Sequence, residues 1–101
     1  MFYVAHVIRE GKLYTASFLD CPGCATSVSN VDVRRLDAST VELLREQATV
    51  ALNEWLADRL SQGKIPMRPI NYCRGKRIRV DVFPDIATAL IDRWRSVGLY
   101  E

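Results

Sequence analysis

The chain has 101 residues, a mass of 11.5 kDa and a formal net charge of +2. A chain this short folds as one domain and buries roughly two-thirds of the surface it exposes when extended, which excludes a doubly wound nucleotide-binding fold or a barrel enzyme. Hydrophobic residues at 49% and charged residues at 26% match ordinary globular proteins and not disordered ones. No run approaches the ~20 continuous apolar residues of a membrane helix.

Phe2–Arg9 (FYVAHVIR) reads as a strand with apolar residues on both sides: Tyr3, Ala5 and Val7 on one, Phe2, Val4, His6 and Ile8 on the other. Glu10-Gly11-Lys12 is a compact turn, and Leu13–Leu19, with Leu13, Tyr14, Thr15 and Phe18, is a second strand closing a hairpin. Asp20-Cys21-Pro22-Gly23 is the next sharp turn, and Cys24–Ser29 returns as a third, antiparallel strand. Residues 30–39 take no assignment: Val31, Val33 and Leu36 either extend the third strand or pack as a surface loop.

A long helix is expected from Ser39 to about Gln62, with Ser39 and Glu42 at capping-box spacing and Gly63 after its end. Val41, Leu44, Ala48, Ala51, Leu52, Trp55, Leu56 and Leu60 form its apolar stripe. Pro66–Lys76 is loop-like. Lys76–Phe83 (KRIRVDVF) alternates strictly, with Ile78, Val80 and Val82 on one side, and predicts a fourth strand. Pro84 and Asp85 open a second helix, Asp85 as N-cap, with Ile86, Leu90, Ile91, Trp94 and Val97 as its apolar stripe and Gly98 as its stop. The order β-β-β-α-β-α gives an α+β fold: an antiparallel sheet with a long amphipathic helix on one face, the fourth strand joining it, plus a C-terminal helix.

The charge is uneven. Residues 1–63 carry six basic and eight acidic groups, a balance of −2, and residues 64–101 carry eight and four, a balance of +4. The N-terminus MFYVAHVIREGK alternates and shows no basic region followed by an apolar run, so a cytoplasmic protein is expected. Three cysteines are an odd set, against a disulfide framework.

Cys21-Pro22-Gly23-Cys24 is a C-x-x-C pair with three readings. A zinc site would need Cys73 and His6 as further ligands, although structural sites normally use two doublets. A redox pair belongs at a helix N-terminus, and this one lies between strands. The third reading is a β-turn ending in two small hydrophobes, and it is preferred. His6, the one histidine, is read as a packed or sheet-edge residue because nothing local orients it as a base, and Asp20 as a turn former. With no paired carboxylates, no H-E-x-x-H and no glycine-rich phosphate loop, the chain is not read as an enzyme and no cofactor is expected. Arg74, Lys76, Arg77 and Arg79 form a basic cluster suited to phosphates, to an acidic protein partner, or simply to a charged edge strand. Trp55 and Trp94 sit on helix stripes. Tyr3, Tyr14, Phe18 and Phe2 offer more aromatic surface than one helix covers, which points to self-association or capture of a partner.

Several of these segments, in order, resemble the HicB family of antitoxins. The first two strands, the Phe18-Leu19-Asp20-Cys21-Pro22-Gly23-Cys24 segment, Thr40-Val41-Glu42-Leu43-Leu44, Ala51-Leu52-Asn53-Glu54-Trp55-Leu56 and Gly63-Lys64-Ile65-Pro66 carry the likeness, over about residues 2–69. Cys21 stands where the family has leucine, and the 28–39 stretch is longer than the family's. The resemblance implies a degraded ribonuclease-H-like fold for an antitoxin domain at 1–69. Residues 70–101 then either continue that domain or form a truncated ribbon-helix-helix-like dimerisation element. It implies a protein that binds and neutralises a small basic HicA-type mRNA-cleaving toxin; a homodimer is expected, with Tyr3, Tyr14, Phe18, Asp20 and Trp55 as the contact residues. An aromatic anchor would sit at the centre of an interface of about 1,000 Å² or more. The alternative is a DNA-binding regulator acting as a dimer through the basic strand Arg74–Arg79.

Overall fold

A computed structural model describes residues 1–29, 38–70 and 75–99. Its elements follow the expected order: β1 (Phe2–Glu10), β2 (Leu13–Ser17), β3 (Ala25–Ser29), α1 (Ala38–Ser61), β4 (Arg77–Asp81) and α2 (Pro84–Ser96). The unassigned stretch falls almost wholly outside the described residues, as do Cys73 and Arg74.

The four strands form one sheet in the order β3-β2-β1-β4, and every neighbouring pair is antiparallel. The hairpin is tighter than the sequence suggests, because Glu10 pairs with Leu13 and only Gly11 and Lys12 lie between them. Gly11 takes a φ of 61°, a conformation costly for any residue with a Cβ. That register sets Tyr3, Ala5 and Val7 on the same face as Tyr14 and Ala16, and both helices pack on this face. β2 ends at Ser17, short of the expected Leu19, and Phe18 leaves the strand into the turn, where its N–H donates to the Cys24 carbonyl at 3.2 Å.

Helix α1 buries Leu44, Ala48, Leu52 and Leu56 against the sheet, in the stripe read from spacing. It starts one residue before Ser39, so Ser39 lies inside the first turn, and the Glu42 carboxylate pairs with Arg45 instead of reaching back as a capping box requires. Both helices stop in the same way. Gly63 (φ 74°) and Gly98 (φ 77°) adopt the left-handed conformation of a Schellman motif. Lys64 N–H then donates to Arg59 O at 3.0 Å, and Leu99 N–H to Trp94 O at 2.8 Å. In α2, Pro84 occupies the first helical position and Phe83 the cap, which moves Asp85 from its expected capping role into the first turn. Leu90 and Trp94 complete the core, while Val97, expected on the stripe, is exposed beyond the helix end.

The edge strand β4 is closed from outside. Val7 N–H donates to Lys76 O and Val82 N–H to Met1 O, so the alternation of an antiparallel pair turns the carbonyls of Arg79 and Asp81 away from β1. Arg45 Nε reaches Arg79 O at 3.2 Å, and Asn53 Nδ2 reaches Asp81 O at 3.1 Å. Two side chains of α1 thus occupy positions that a further strand would need.

Candidate interaction surfaces

Of the residues expected to contact a partner, Tyr3, Tyr14 and Phe18 are 0%, 4% and 3% exposed. The surplus aromatic surface read from the sequence is therefore corrected: these rings fill the core between sheet and helices. They fit because Ala5 and Ala16, both fully buried, leave room beneath the helices. Burial, then the neighbouring Cys21 and Asp20, pushes the Tyr3 phenol well above its ordinary range. Its hydroxyl donates to Met67 O at 2.8 Å.

Cys21 and Cys24 are both buried, free thiols. Cys24 N–H donates to Cys21 O at 3.0 Å, closing the turn around Gly23. Burial first, then Cys24 and Asp20, pushes the Cys21 thiol up to about 12, and burial pushes Cys24 up to about 11. Both stay protonated at neutral pH, so neither is poised as a nucleophile. His6 alternates onto the opposite face of β1 from Tyr3, Ala5 and Val7, hence away from the core that holds the two thiols. No group of three or more His, Cys, Asp or Glu side chains among the described residues is placed to hold a metal.

Asp20 and Trp55 do come together, in a cleft of about 340 Å³ also lined by Pro22, Arg59, Lys64, Ile65, Pro66 and Met67. Asp20 is buried and its Oδ2 accepts the Ile70 N–H at 3.1 Å. Trp55 is half-buried, with the Arg59 guanidinium 4.8 Å from its ring centroid.

Of the basic cluster, Lys76, Arg77 and Arg79 are exposed. Arg77 and Arg79 project from β4 on the open side of the sheet, beside Phe2, Val4 and His6. Arg79 bonds the Asp81 carboxylate at 3.1 Å and lies 4.2 Å over the Phe2 ring.

A surface absent from the sequence-based expectations lies along the outside of α1. Leu43, Val50 and Ala57 recur every seven residues, on the side opposite Leu44, Ala48, Leu52 and Leu56. Val50 is 52% exposed, and Glu46 and Glu54 stand one helical turn to either side of it. Two shallow hollows share Val50 and Glu54. One, of about 470 Å³, runs towards Thr26 of β3 with Glu46, Gln47 and Ala51. The other, of about 220 Å³, runs towards Phe83 and Ile86 with Asn53 and Ala57. Phe83 is itself 45% exposed. Among the described residues no cation pairs with Glu46 or Glu54, the ion pairs being Arg45–Glu42 and Arg79–Asp81. The seven-residue repeat was visible in the sequence, but an inner stripe rich in leucine masked it.

Comparison with family models, with curated proteins and with solved structures returns no match for this chain.

Proposed function

We propose that the chain is an antitoxin-like protein that binds and neutralises a small basic ribonuclease of the HicA type. The observation that carries this reading is the outer face of α1. There an exposed apolar ridge at Val50 lies between the carboxylates of Glu46 and Glu54, with a hollow on each side. Exposed apolar area on a helix with acids on the same face suits a basic partner, because opposite potentials speed encounter and the apolar ridge supplies the desolvated centre. The contact residues therefore shift from Tyr3, Tyr14 and Phe18, which are core, to Glu46, Val50, Glu54 and Phe83. The family likeness supplies the toxin's identity and the ribonuclease-H-like label, and a homodimer in the cytoplasm is part of the same proposal. Physically, no helix among the described residues is long and apolar enough to cross a membrane.

The test is co-expression with a HicA-type ribonuclease, followed by pull-down and a growth-rescue assay. The double variant Glu46→Lys/Glu54→Lys is expected to weaken the complex at least tenfold with little change in melting temperature, since both side chains are exposed. Loss of binding through Arg77→Glu/Arg79→Glu instead would argue against this surface. The second reading, a dimeric DNA-binding regulator, is supported by the projection of Arg77 and Arg79 from one face of β4. A salt titration with duplex DNA separates the two, because removing an arginine that neutralises a phosphate flattens the salt slope by roughly one unit.

A further inference from the structure

The cleft beside Trp55 is built more firmly than an incidental surface hollow. Its far wall is the extended segment Ile65–Ile70, which belongs to no strand. That segment is fixed from within at three points: Trp94 Nε1 donates to Pro66 O at 2.8 Å, Tyr3 Oη to Met67 O at 2.8 Å, and the Ile70 N–H to Asp20 Oδ2 at 3.1 Å. At a fourth point Arg68 donates to Leu99 O at 2.7 Å. Three of the anchoring side chains, Tyr3, Asp20 and Trp94, are buried. The outcome is a fixed apolar wall of Ile65, Pro66 and Met67 lining the same cleft as Pro22 and Trp55.

The charges in the cleft have a sign. Arg59 and Lys64 line it as the two ends of the α1 Schellman turn, and no carboxylate among the described residues forms an ion pair with either. Stacking on Trp55 holds the Arg59 guanidinium in place, so less side-chain freedom is lost when it meets an anion. The third charged lining group, Asp20, is buried and already accepts the Ile70 N–H. A cavity of this size, mostly apolar with a few convergent polar groups, has the make-up of a small-molecule site.

We propose that this cleft binds a small amphipathic carboxylate: an apolar body against Trp55, Pro66 and Met67, with its anionic end on Arg59 and Lys64. The site stands apart from the outer face of α1 and does not depend on the antitoxin reading.

The probes are 4-phenylbutyrate and 4-phenylbutylamine, which share an apolar body and differ in charge, titrated into the full chain and followed by proton–nitrogen NMR. The acid is expected to shift the Trp55 indole N–H and the amides of Arg59 and Met67 saturably. The Lys12 amide, in the hairpin turn at the opposite end of β2 from Asp20, serves as the internal reference. Arg59→Gln/Lys64→Gln should weaken the acid about tenfold or more, as expected for loss of charge-assisted hydrogen bonds. Met67→Glu, an exposed position whose change leaves the core untouched, should abolish binding. Equal or tighter binding of the amine would assign the charge preference to Asp20 and overturn the proposal. Absence of a saturable shift, or affinity unchanged in the double variant, would overturn it as well.

Discussion

Asn53, a polar side chain 2% exposed in the middle of α1, bonds both sides of the β4–α2 junction. Its Nδ2 donates to Asp81 O at 3.1 Å, and its Oδ1 accepts the Phe83 N–H at 2.7 Å. Phe83 is the cap of α2 and brings no side-chain hydrogen bond of its own, so the Asn53 amide satisfies a helix end that would otherwise lack a partner. Nδ2 also donates to Thr49 O at 2.7 Å, so both of its protons are used. One buried amide therefore joins helix, edge strand and second helix.

Replacing it tests that junction. Asn53→Ala is expected to cost about 2 kcal/mol, because it leaves the part-buried Phe83 N–H and Asp81 carbonyl without their partner as well as a small void. Asn53→Leu restores volume without partners and should be no better. Urea unfolding gives the answer: a midpoint within error of the parent protein would show the junction to be held by other interactions.

Two buried tyrosines should respond differently to loss of their hydroxyls. Tyr14 Oη is buried with no hydrogen-bond partner, whereas Tyr3 Oη donates to Met67 O. Tyr14→Phe removes an unsatisfied polar group and is expected to be neutral or stabilising by up to about 1 kcal/mol. Tyr3→Phe should destabilise by about 1 kcal/mol. Paired denaturation curves check the difference, and two destabilisations of equal size would contradict it.

The strands and helices were legible because their signals are local. Alternation in KRIRVDVF marks β4 with Ile78, Val80 and Val82 inward, and the leucine spacing marks the buried side of α1. The fate of the aromatics was not, because it turns on hairpin register. Shortening the turn to Gly11-Lys12 sets Val7 opposite Ala16 and Arg9 opposite Tyr14, gathering Tyr3, Tyr14 and Phe18 on one face. Two alanines on that face, Ala5 and Ala16, were the available hint. The cleft was half legible, since Asp20 and Trp55 were singled out separately. Its wall depends on hydrogen bonds between residues 64 and 50 positions apart in the chain, which no local pattern encodes.

The thiols give a pH prediction. The pKa values of Cys21 and Cys24 are raised in the folded protein from 9.0 to about 12 and about 11. A raised pKa means that the folded state holds its proton where the unfolded chain releases it. The associated stability is complete below pH 9 and is lost as pH climbs towards the folded values. The urea midpoint should therefore fall steadily above pH 9, with the Tyr3 phenol adding to the fall. In Cys21→Ala/Cys24→Ala the fall should be shallower. At pH 8 a thiol reagent should label these cysteines far more slowly in buffer than in urea, and fast labelling in buffer would show that the turn opens readily.

The Ile65–Ile70 segment offers the last test, because its anchors act by opening equilibrium more than by global stability. It makes no strand pairing, so its order depends on Trp94, Tyr3, Asp20 and Arg68. Each neutral side-chain bond is worth about 1 kcal/mol, so removing one should raise the open population roughly fivefold. Trypsin reads this directly at the Lys64–Ile65 bond, at the start of the wall of the cleft, whereas Arg68 is followed by Pro69 and is not cut. Tyr3→Phe is expected to speed cleavage there severalfold, and Tyr3→Phe with Arg68→Ala, which removes the bond to Leu99 O and no cleavage site, to speed it further. Lys12, exposed in the hairpin turn, is the control and should be cut at an unchanged rate. Equal acceleration at Lys12 would mean that the whole fold had loosened, and no acceleration at Lys64 would mean that the Tyr3 bond does not hold the segment closed.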